Sequence, residues 1–362
     1  MQRSISIIFL IIGLTLFTVS FSSKEVTTEK IPKAKRISQR GIYVTYYMAQ
    51  SPKYFNYLKE QCKKAKLNTI VVDAKEVLSR PYLALVKEHK LVSGIRAEPS
   101  PWLSKLTADL QKEGFIVTVR LVTFKDDHLV LTRPDLGIKV GGGLYRDRKG
   151  GKWANPYLDE VRLYNVLIAE SAALSGVDEV QFDYIRFPVE GSARFISFPQ
   201  EEEGISRVDI ICQYLKEVKA RLAPHNTSMA VDIFGVAAWQ SKTDIETLGQ
   251  DLKRMAPYLD VLSPMLYPSH FHNGYDGFAN PGSEPYHFLK YGTKRSFEIL
   301  SGEATALVPW IQGFNMKSPN FGPKYIIDQI KGAEEEGAKG FLIWNARNDY
   351  AVSFRALSTL TY

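Results

Sequence analysis

From Gly41 onward one pattern recurs about every 40 residues: a short run rich in β-branched or aromatic residues, a turn, and then an amphipathic stretch. This pattern is typical of repeated βα units. It predicts strands at Gly41 to Met48, Asn68 to Ala74, Phe115 to Phe124, Asp178 to Phe187, Ser228 to Val236, Val261 to Tyr267, Ala306 to Phe314 and Gly340 to Asn345. Helical stretches follow most of these strands. Six are predicted, at Tyr54 to Lys66, Pro101 to Glu113, Tyr157 to Ser175, Ile205 to Leu222, Asp244 to Met255 and Pro323 to Glu336.

Eight such units in roughly 320 residues predict an α/β fold, a (β/α)8 TIM barrel with extended βα loops. Two separate α/β domains would need a linker, and the sequence contains no such segment. An open doubly wound sheet would carry a glycine-rich turn after its first strand. The residues there are Tyr46, Tyr47 and Met48, and the glycines 141–143 lie inside a polar loop instead. We therefore expect a loop at these glycines and no phosphate site.

The amino terminus has the pattern of a leader for export. Arg3 precedes an apolar run from Ile5 to Val19, and Ser20 and Ser22 match the small residues of a cleavage site. The run is shorter than the roughly 20 residues of a membrane span. We predict a signal peptide at 1–23, a basic tether at 24–40 and the barrel at 41–362. The chain is then periplasmic or extracellular, with no stable membrane span after cleavage, and an uncleaved anchor is the alternative.

The formal net charge of +7 is concentrated at the amino terminus. Arg3 contributes +1, residues 24–40 carry six basic against two acidic side chains, and the remainder of the chain carries only +2. Phosphate binding needs many clustered cations on one folded face. The nearly neutral body therefore predicts no nucleic-acid partner.

Three predicted strands carry an aspartate on the face that should point into the barrel. Side chains alternate along a strand, and this alternation groups Asp73, Asp183 and Asp232 with the inward positions near the ends of strands two, four and five. Reactive groups of such barrels come from the carboxyl ends of strands. These aspartates are therefore candidates for chemistry.

Neighbouring strands lie about 4.8 Å apart, so Asp183 and Asp232 should bring their carboxyl groups within roughly 5 to 10 Å of each other. Glycoside hydrolysis needs such a pair: one carboxylic acid protonates the leaving oxygen, and one carboxylate attacks the anomeric carbon or activates water. The alternative is a buried aspartate that pairs with a structural cation, for which Arg120 on strand three is available.

Aromatic and amide side chains follow several other strands. They are Tyr43, Tyr47, Tyr184, Tyr267, Trp310 with Gln312, and Trp344 with Asn345. Flat aromatic faces can stack on sugar rings while amides bind hydroxyl groups, which favours a carbohydrate partner. Core packing is the alternative for any one of them.

Other chemistries have little support in the sequence. It contains no HExxH, no cysteine-based zinc spacing and no GxSxG. His270 and His272 could ligate a metal, but a polar loop of this kind is more typical of solvated surface. We expect no metal and no cofactor.

Cys62 and Cys212 lie in helices three units apart in such a barrel, so we expect no disulfide between them.

Several motifs resemble one family. They are YRDRKG at Tyr145 to Gly150, WANPY at Trp153 to Tyr157, FDYIRFP at Phe182 to Pro188, LSPMLYPSH at Leu262 to His270 and LIWNA at Leu342 to Ala346. Together they resemble the glycosyl hydrolase domain family DUF4015 over about Gly41 to Tyr350.

The resemblance implies a (β/α)8 barrel of the glycosidase superfamily. Barrel glycosidases of the α-amylase type place the nucleophile on strand four and the acid/base on strand five. These positions correspond to Asp183 and Asp232. The chain departs from the pattern at Gly313, where an acidic residue commonly follows the Trp-x-Gln of strand seven.

We therefore predict an exported glycoside hydrolase with Asp183 as nucleophile or base and Asp232 as general acid. Six further side chains are predicted to orient the sugar: Asp73, Arg120, Arg186, Tyr267, Gln312 and Trp344. A non-catalytic carbohydrate-binding barrel is one alternative, favoured by Gly313. A metal-dependent polysaccharide deacetylase is another, and the scarcity of histidine argues against it.

Overall fold

The computed structural model describes residues 38–360. The predicted signal peptide at 1–23 and the tether up to residue 37 lie outside the described residues. Within the described part, no helix is both long and apolar enough to cross a membrane.

Eight parallel strands close a barrel within residues 38–360, which confirms the predicted fold. They are β1 (Gln39–Val44), β2 (Thr69–Asp73), β3 (Ile116–Val122), β4 (Glu179–Asp183), β5 (Ser228–Phe234), β6 (Val261–Met265), β7 in two segments (Ala306–Leu307 and Trp310–Gln312) and β8 (Gly340–Trp344). Each strand pairs with the next in sequence, and β8 pairs with β1. Proline cannot donate to a ladder, and Pro309 separates the two segments of β7.

The helices surround this barrel. They are α1 (Tyr46–Ala49), α2 (Pro52–Lys64), α3 (Lys75–Lys87), α4 (Pro101–Lys112), α5 (Asp127–Thr132), α6 (Asp159–Leu174), α7 (Pro199–Glu202), α8 (Arg207–Leu222), α9 (Lys242–Leu248), α10 (Leu252–Met255), α11 (Pro285–Ile299), α12 (Pro323–Glu335) and α13 (Ala351–Leu357). Short 3₁₀ turns lie at Pro134–Leu136, Gly191–Phe195, Ala223–His225, Gly235–Trp239, Ala256–Tyr258, Pro268–His270, Tyr275–Gly277 and Pro281–Ser283.

Two of the differences from the predicted bounds have a local physical explanation. β1 begins at Gln39 rather than Gly41, because Gln39 and Arg40 already pair with Gly340 and Phe341 of β8. The helix predicted from Asp244 to Met255 is two helices, since Gly249 adopts a left-handed φ of 76° that ends α9.

Side chains of the strands divide between two apolar clusters. A smaller cluster fills the barrel and includes Val71, Ala230 and Leu342, while a larger one lies between the strands and the helices and includes Val72 and Val231. This division confirms the predicted alternation, and it leaves the inward positions at the carboxyl ends of the strands to polar side chains.

Both cysteines are buried and free. Cys62 lies in α2, after β1, and Cys212 lies in α8, after β4. The prediction that they do not bond to each other is confirmed.

The glycines 141–142 form the turn of a small antiparallel ribbon (Lys139–Val140 and Gly143–Leu144), where φ values of 56° and 79° suit glycine.

Candidate active site

Adjacent strand ends bring the predicted aspartates together. Asp73 of β2 is in register with Arg120 of β3. Phe182 of β4 is in register with Val231 of β5, so the next position on each strand is Asp183 and Asp232. Parallel strands lie about 4.8 Å apart, and in-register residues share a face. The two aspartates are therefore neighbours across the β4–β5 ladder.

A cavity of about 620 Å³, part of it open to solvent, lies at this end of the barrel. Its lining comprises Arg120, Asp183, Tyr184, Arg186, Asp232, Phe234, Met265, Tyr267, His270, Trp310 and Trp344. Six of the eight predicted site residues are in this set. The exceptions are Asp73 and Gln312.

Arg120 joins the carboxylates of two strands. Its Nη1 donates to Asp73 Oδ1 at 2.7 Å, and its Nε donates to Asp183 Oδ2 at 3.1 Å. Its Nη2 also donates to Asp183 Oδ2. The arginine is buried, and the two carboxylates outweigh that burial and raise its pKa well above the ordinary value. Arg120 is therefore an ion-pair partner of Asp183, as the structural alternative in the sequence expected. It forms a second ion pair with Asp73 at the same time.

Asp73 belongs to this network although it does not line the cavity. The hydroxyl of Tyr43 donates to Asp73 Oδ2. The Tyr43 ring stacks on Trp344 at a centroid distance of 4.0 Å, and the Arg120 guanidinium lies 4.8 Å from the Trp344 ring. Asp73 thus positions Arg120 without itself lining the cavity, while the ring of Trp344 lines it.

The residue after Asp183 has an unusual backbone conformation. Tyr184 has φ of 52°, in the left-handed region that non-glycine residues rarely adopt. Its backbone N–H donates to Asp183 Oδ1 at 2.6 Å. Both oxygens of Asp183 therefore accept hydrogen bonds from the protein, one from the Tyr184 backbone and one from Arg120. These donors stabilise the ionised carboxylate and fix its orientation.

Asp232 has a different environment, although it is the neighbour of Asp183. It is 1% exposed, and its Oδ1 accepts a hydrogen bond from Trp310 Nε1 at 2.7 Å. Its Oδ2 has no hydrogen-bond partner among the described residues. Burial and the charge of Asp183 raise the pKa of Asp232 well above its usual range, against the opposing effects of Arg120 and Trp310. Burial and the neighbouring charge thus favour the protonated form of Asp232.

The side chain of Gln312 hydrogen-bonds to other residues of the protein and does not line the cavity. It is fully buried, and its Nε2 donates to the carbonyl of Phe314 at 2.9 Å and to Ser318 Oγ at 3.0 Å. Its Oε1 accepts from the backbone of Ser269 at 3.2 Å. The structure thus does not bring this amide to the cavity, because its hydrogen-bonding groups connect the loops that follow β6 and β7.

The two histidines considered as metal ligands are separated by their environments. His270 lines the cavity, where burial lowers its pKa to about 4. His272 is exposed, and its Nδ1 lies 3.0 Å from the carbonyl of Asn273. Among residues 38–360 no group of three histidine, cysteine or acidic side chains could hold a metal ion.

The sequence did not predict the hydrogen bond from Trp310 to Asp232, nor the place of Phe234 and Met265 in the lining. Phe234 could have been found, because it lies two positions after Asp232 on the same face of β5. Trp310 was predicted only as an aromatic surface. Its contact with Asp232 crosses the barrel from β7 to β5, which the pattern within one strand does not reveal.

Gly313 leaves no room for the acidic side chain that the family resemblance led us to expect after strand seven. A Cβ at this position would lie 2.6 Å from Ile343 Cγ2 and 3.0 Å from the Trp344 carbonyl oxygen. The local packing of β8 therefore requires glycine here.

The contrast between the two aspartates has a consequence for stability. Asp232 holds its proton more tightly in the folded chain than in the unfolded chain, so the free energy of unfolding falls as pH rises above about 4. Asp232→Asn removes this dependence. We expect the stability of the variant relative to the parent to increase as pH rises from about 4, by up to about 1.4 kcal/mol per pH unit, measured by urea unfolding.

Asp183→Asn is the matched control. It removes one of the two partners of Arg120, so it should be less stable than the parent at every pH in this range. Equal pH dependence of the parent and Asp232→Asn would contradict the raised pKa of Asp232.

Comparisons with known proteins agree with this architecture. The glycoside hydrolase domain of PgaB (BpsB) from Bordetella bronchiseptica is 10% identical, with 90% of this chain and 99% of that chain covered and a TM-score of 0.60. A β-galactosidase from Rahnella sp. R3 is 14% identical, with 87% and 52% covered and a TM-score of 0.53. These two likenesses show the fold.

A hypothetical protein from Ruminiclostridium thermocellum is 26% identical, with 53% of this chain and 96% of that chain covered and a TM-score of 0.43. No curated protein sequence matches the chain. The profile of the family DUF4015, described as "Putative glycosyl hydrolase domain", matches residues 41–350. This match covers most of the chain and reaches all eight strands of the barrel, and the chain therefore belongs to the DUF4015 glycosyl hydrolase domain family.

Proposed function

We propose that the protein hydrolyses O-glycosidic bonds in a poly- or oligosaccharide, with Asp183 and Asp232 as the catalytic pair. The observation that carries this proposal is the contrast between two neighbouring carboxyl groups in one cavity. Asp183 accepts hydrogen bonds from Arg120 and the Tyr184 N–H, whereas Asp232 is buried with one unpartnered oxygen and a raised pKa. Glycosidases need one carboxylic acid and one carboxylate on the two sides of the scissile bond. Family membership supports the same reaction class.

Asp232 is the general acid in this proposal. Its unpartnered Oδ2 carries the proton and donates it to the glycosidic oxygen as the bond breaks. The indole N–H of Trp310 remains on Oδ1 and stabilises the carboxylate that forms when the proton leaves. The acid therefore has a fixed orientation and a stabilised conjugate base.

Asp183 is the nucleophile or the base. Arg120 and the Tyr184 N–H hold its carboxylate in one orientation. The separation of the two carboxyl groups decides its role: about 5 Å suits direct attack with retention, and about 6.5 to 9.5 Å leaves room for water and gives inversion.

Aromatic side chains supply the sugar-binding surface. Tyr267, Trp344 and Phe234 line the cavity beside the two carboxyl groups. Ring faces of this kind stack on the apolar face of a pyranose. A wider depression, lined by His272, Asn273, Asn280, Asn315, Lys317, Ser318 and Pro319, offers amides for further sugar hydroxyls.

A non-catalytic carbohydrate-binding barrel is the second candidate, favoured by the glycine at position 313 in place of an acid. Such a protein would keep the aromatic cavity and bind sugars without turnover. Kinetics of the carboxylate variants separate the two functions.

Export belongs to the proposal as well. The apolar run from Ile5 to Val19 and the serines after it support cleavage of a leader. The mass of the mature protein tests this: a chain lacking the first 22 or so residues is expected, and a mature chain that keeps Met1 would contradict cleavage.

Asp183→Asn and Asp232→Asn should lose turnover in different ways. On a polysaccharide from a panel of bacterial polysaccharides that the parent cleaves, we expect Asp183→Asn to fall to background and Asp232→Asn to lose about 10²- to 10⁴-fold in kcat. On a 4-nitrophenyl glycoside the leaving group needs little protonation, so Asp232→Asn should lose far less. Reducing-sugar release measures cleavage of the polysaccharide, and nitrophenol release measures cleavage of the 4-nitrophenyl glycoside.

Asp109→Asn provides the matched control, because Asp109 pairs with Lys105 on the exposed face of α4. It should keep the parental rate. Parental turnover in Asp183→Asn would exclude it as the nucleophile or base, and sugar binding without turnover in the parent on every substrate would favour the binding barrel.

A further inference from the structure

Arg186 lies in the loop that follows β4, three residues after Asp183, and its side chain is enclosed by aromatic rings. The guanidinium carbon lies 5.0 Å from the ring centre of Trp153, 5.4 Å from Tyr184 and 4.9 Å from Phe234. The residue is 6% exposed and lines the cavity. The rings hold the guanidinium rigidly at the cavity wall.

This buried cation has no carboxylate within ion-pair distance among residues 38–360, in contrast to Arg120. The hydrogen bond that the structure gives its guanidinium runs from Nη1 to the carbonyl of Phe187 at 3.0 Å. Burial lowers the pKa of Arg186, and the more distant charges of Asp183 and Glu190 oppose this only in part. Asp183 is already engaged by Arg120 and Tyr184, so Arg186 lacks a counter-charge.

Two lysines lie near His270 of the cavity lining. Lys149 and Lys317 are exposed, and neither forms an ion pair with another described residue. Both lie close enough to His270 in the lining to lower its pKa, together with burial. With a pKa of about 4, His270 is uncharged at neutral pH. The cavity wall therefore holds one buried cation without an ion-pair partner among residues 38–360, and two further cations lie near His270.

We propose that the substrate carries a carboxylate, as in a uronic acid residue, and that this carboxylate binds Arg186 within the cavity. The proposal rests on the proposed function for the sugar part of the substrate. A guanidinium presents a planar fork that matches a carboxylate with two parallel hydrogen bonds. A buried charge without a partner is unfavourable, so a neutral sugar would leave that cost in place while a uronate would remove it.

Direct binding to the intact protein tests this without turnover. Isothermal titration calorimetry compares D-glucuronate, D-galacturonate and D-mannuronate with glucose, galactose and mannose, and adds glucose 6-sulfate. We expect at least one uronate to bind at least about tenfold more tightly than its neutral counterpart, with a preference that weakens as salt rises. Arg186→Met should abolish this preference.

Arg207→Met is the matched control, because Arg207 stacks on Phe187 and Phe198 and pairs with Glu201 without lining the cavity. It should keep the uronate preference. If Arg186→Met does not fold, Arg186→Lys decides, since it keeps the charge, loses the fork and should reduce the preference. No preference for any uronate, a preference that survives the Arg186 variant, or tighter binding of the sulfate overturns the proposal.

The outcomes also separate this inference from the proposed function. Uronate preference in a protein that cleaves no polysaccharide would support the inference and contradict hydrolysis. Cleavage restricted to neutral polysaccharides would support hydrolysis and contradict the role of Arg186.

Discussion

Arg120 holds the ends of three neighbouring strands in one ion-pair network. It comes from β3 and contacts Asp73 of β2 and Asp183 of β4. Taking these charges out of water is costly, and the hydrogen bonds between them offset that cost only while all partners are present. Removal of one partner from such a buried network costs about 3 to 5 kcal/mol. The geometry of the site therefore depends on the complete network.

The network also gives the two neighbouring aspartates different environments. Asp183 receives donors from Arg120 and from the Tyr184 backbone, whereas its neighbour Asp232 receives a single indole N–H and little solvent. Two carboxyl groups on adjacent strands cannot both be ionised cheaply when one is fully buried. The environment thus favours the protonated form of Asp232 and surrounds Asp183 with hydrogen-bond donors. This contrast suits the division of roles that acid-assisted glycoside cleavage requires.

The sequence predicted the barrel and the position of its aspartates because both follow from local periodicity. Alternation along β2, β4 and β5 directed Asp73, Asp183 and Asp232 inward, and the structure confirms the orientation of these strands. Contacts between distant strands could not be found in this way. The indole of Trp310 on β7 donates a hydrogen bond to Asp232. Gln312 lies on the same strand, but its side chain hydrogen-bonds to the surrounding loops.

Helices and turns show the same limit. The sequence pattern predicted neither of the long helices α3 and α11, and it extended strand four to Phe187, although the strand ends at Asp183. The left-handed conformation of Tyr184 ends the strand there and directs Arg186 into its aromatic enclosure. No local pattern predicts a left-handed tyrosine, because its backbone energy is unfavourable and tertiary contacts must compensate.

The central claim is that Asp232 is the proton donor and that its environment sets its pKa. The most direct measurement is the pH dependence of kcat/KM in the parent and in Trp310→Phe. The indole N–H lowers the pKa of Asp232, so its removal should move the alkaline limb of the profile upward by about one pH unit. An alkaline limb that stays in place, or moves downward, would show that another group donates the proton.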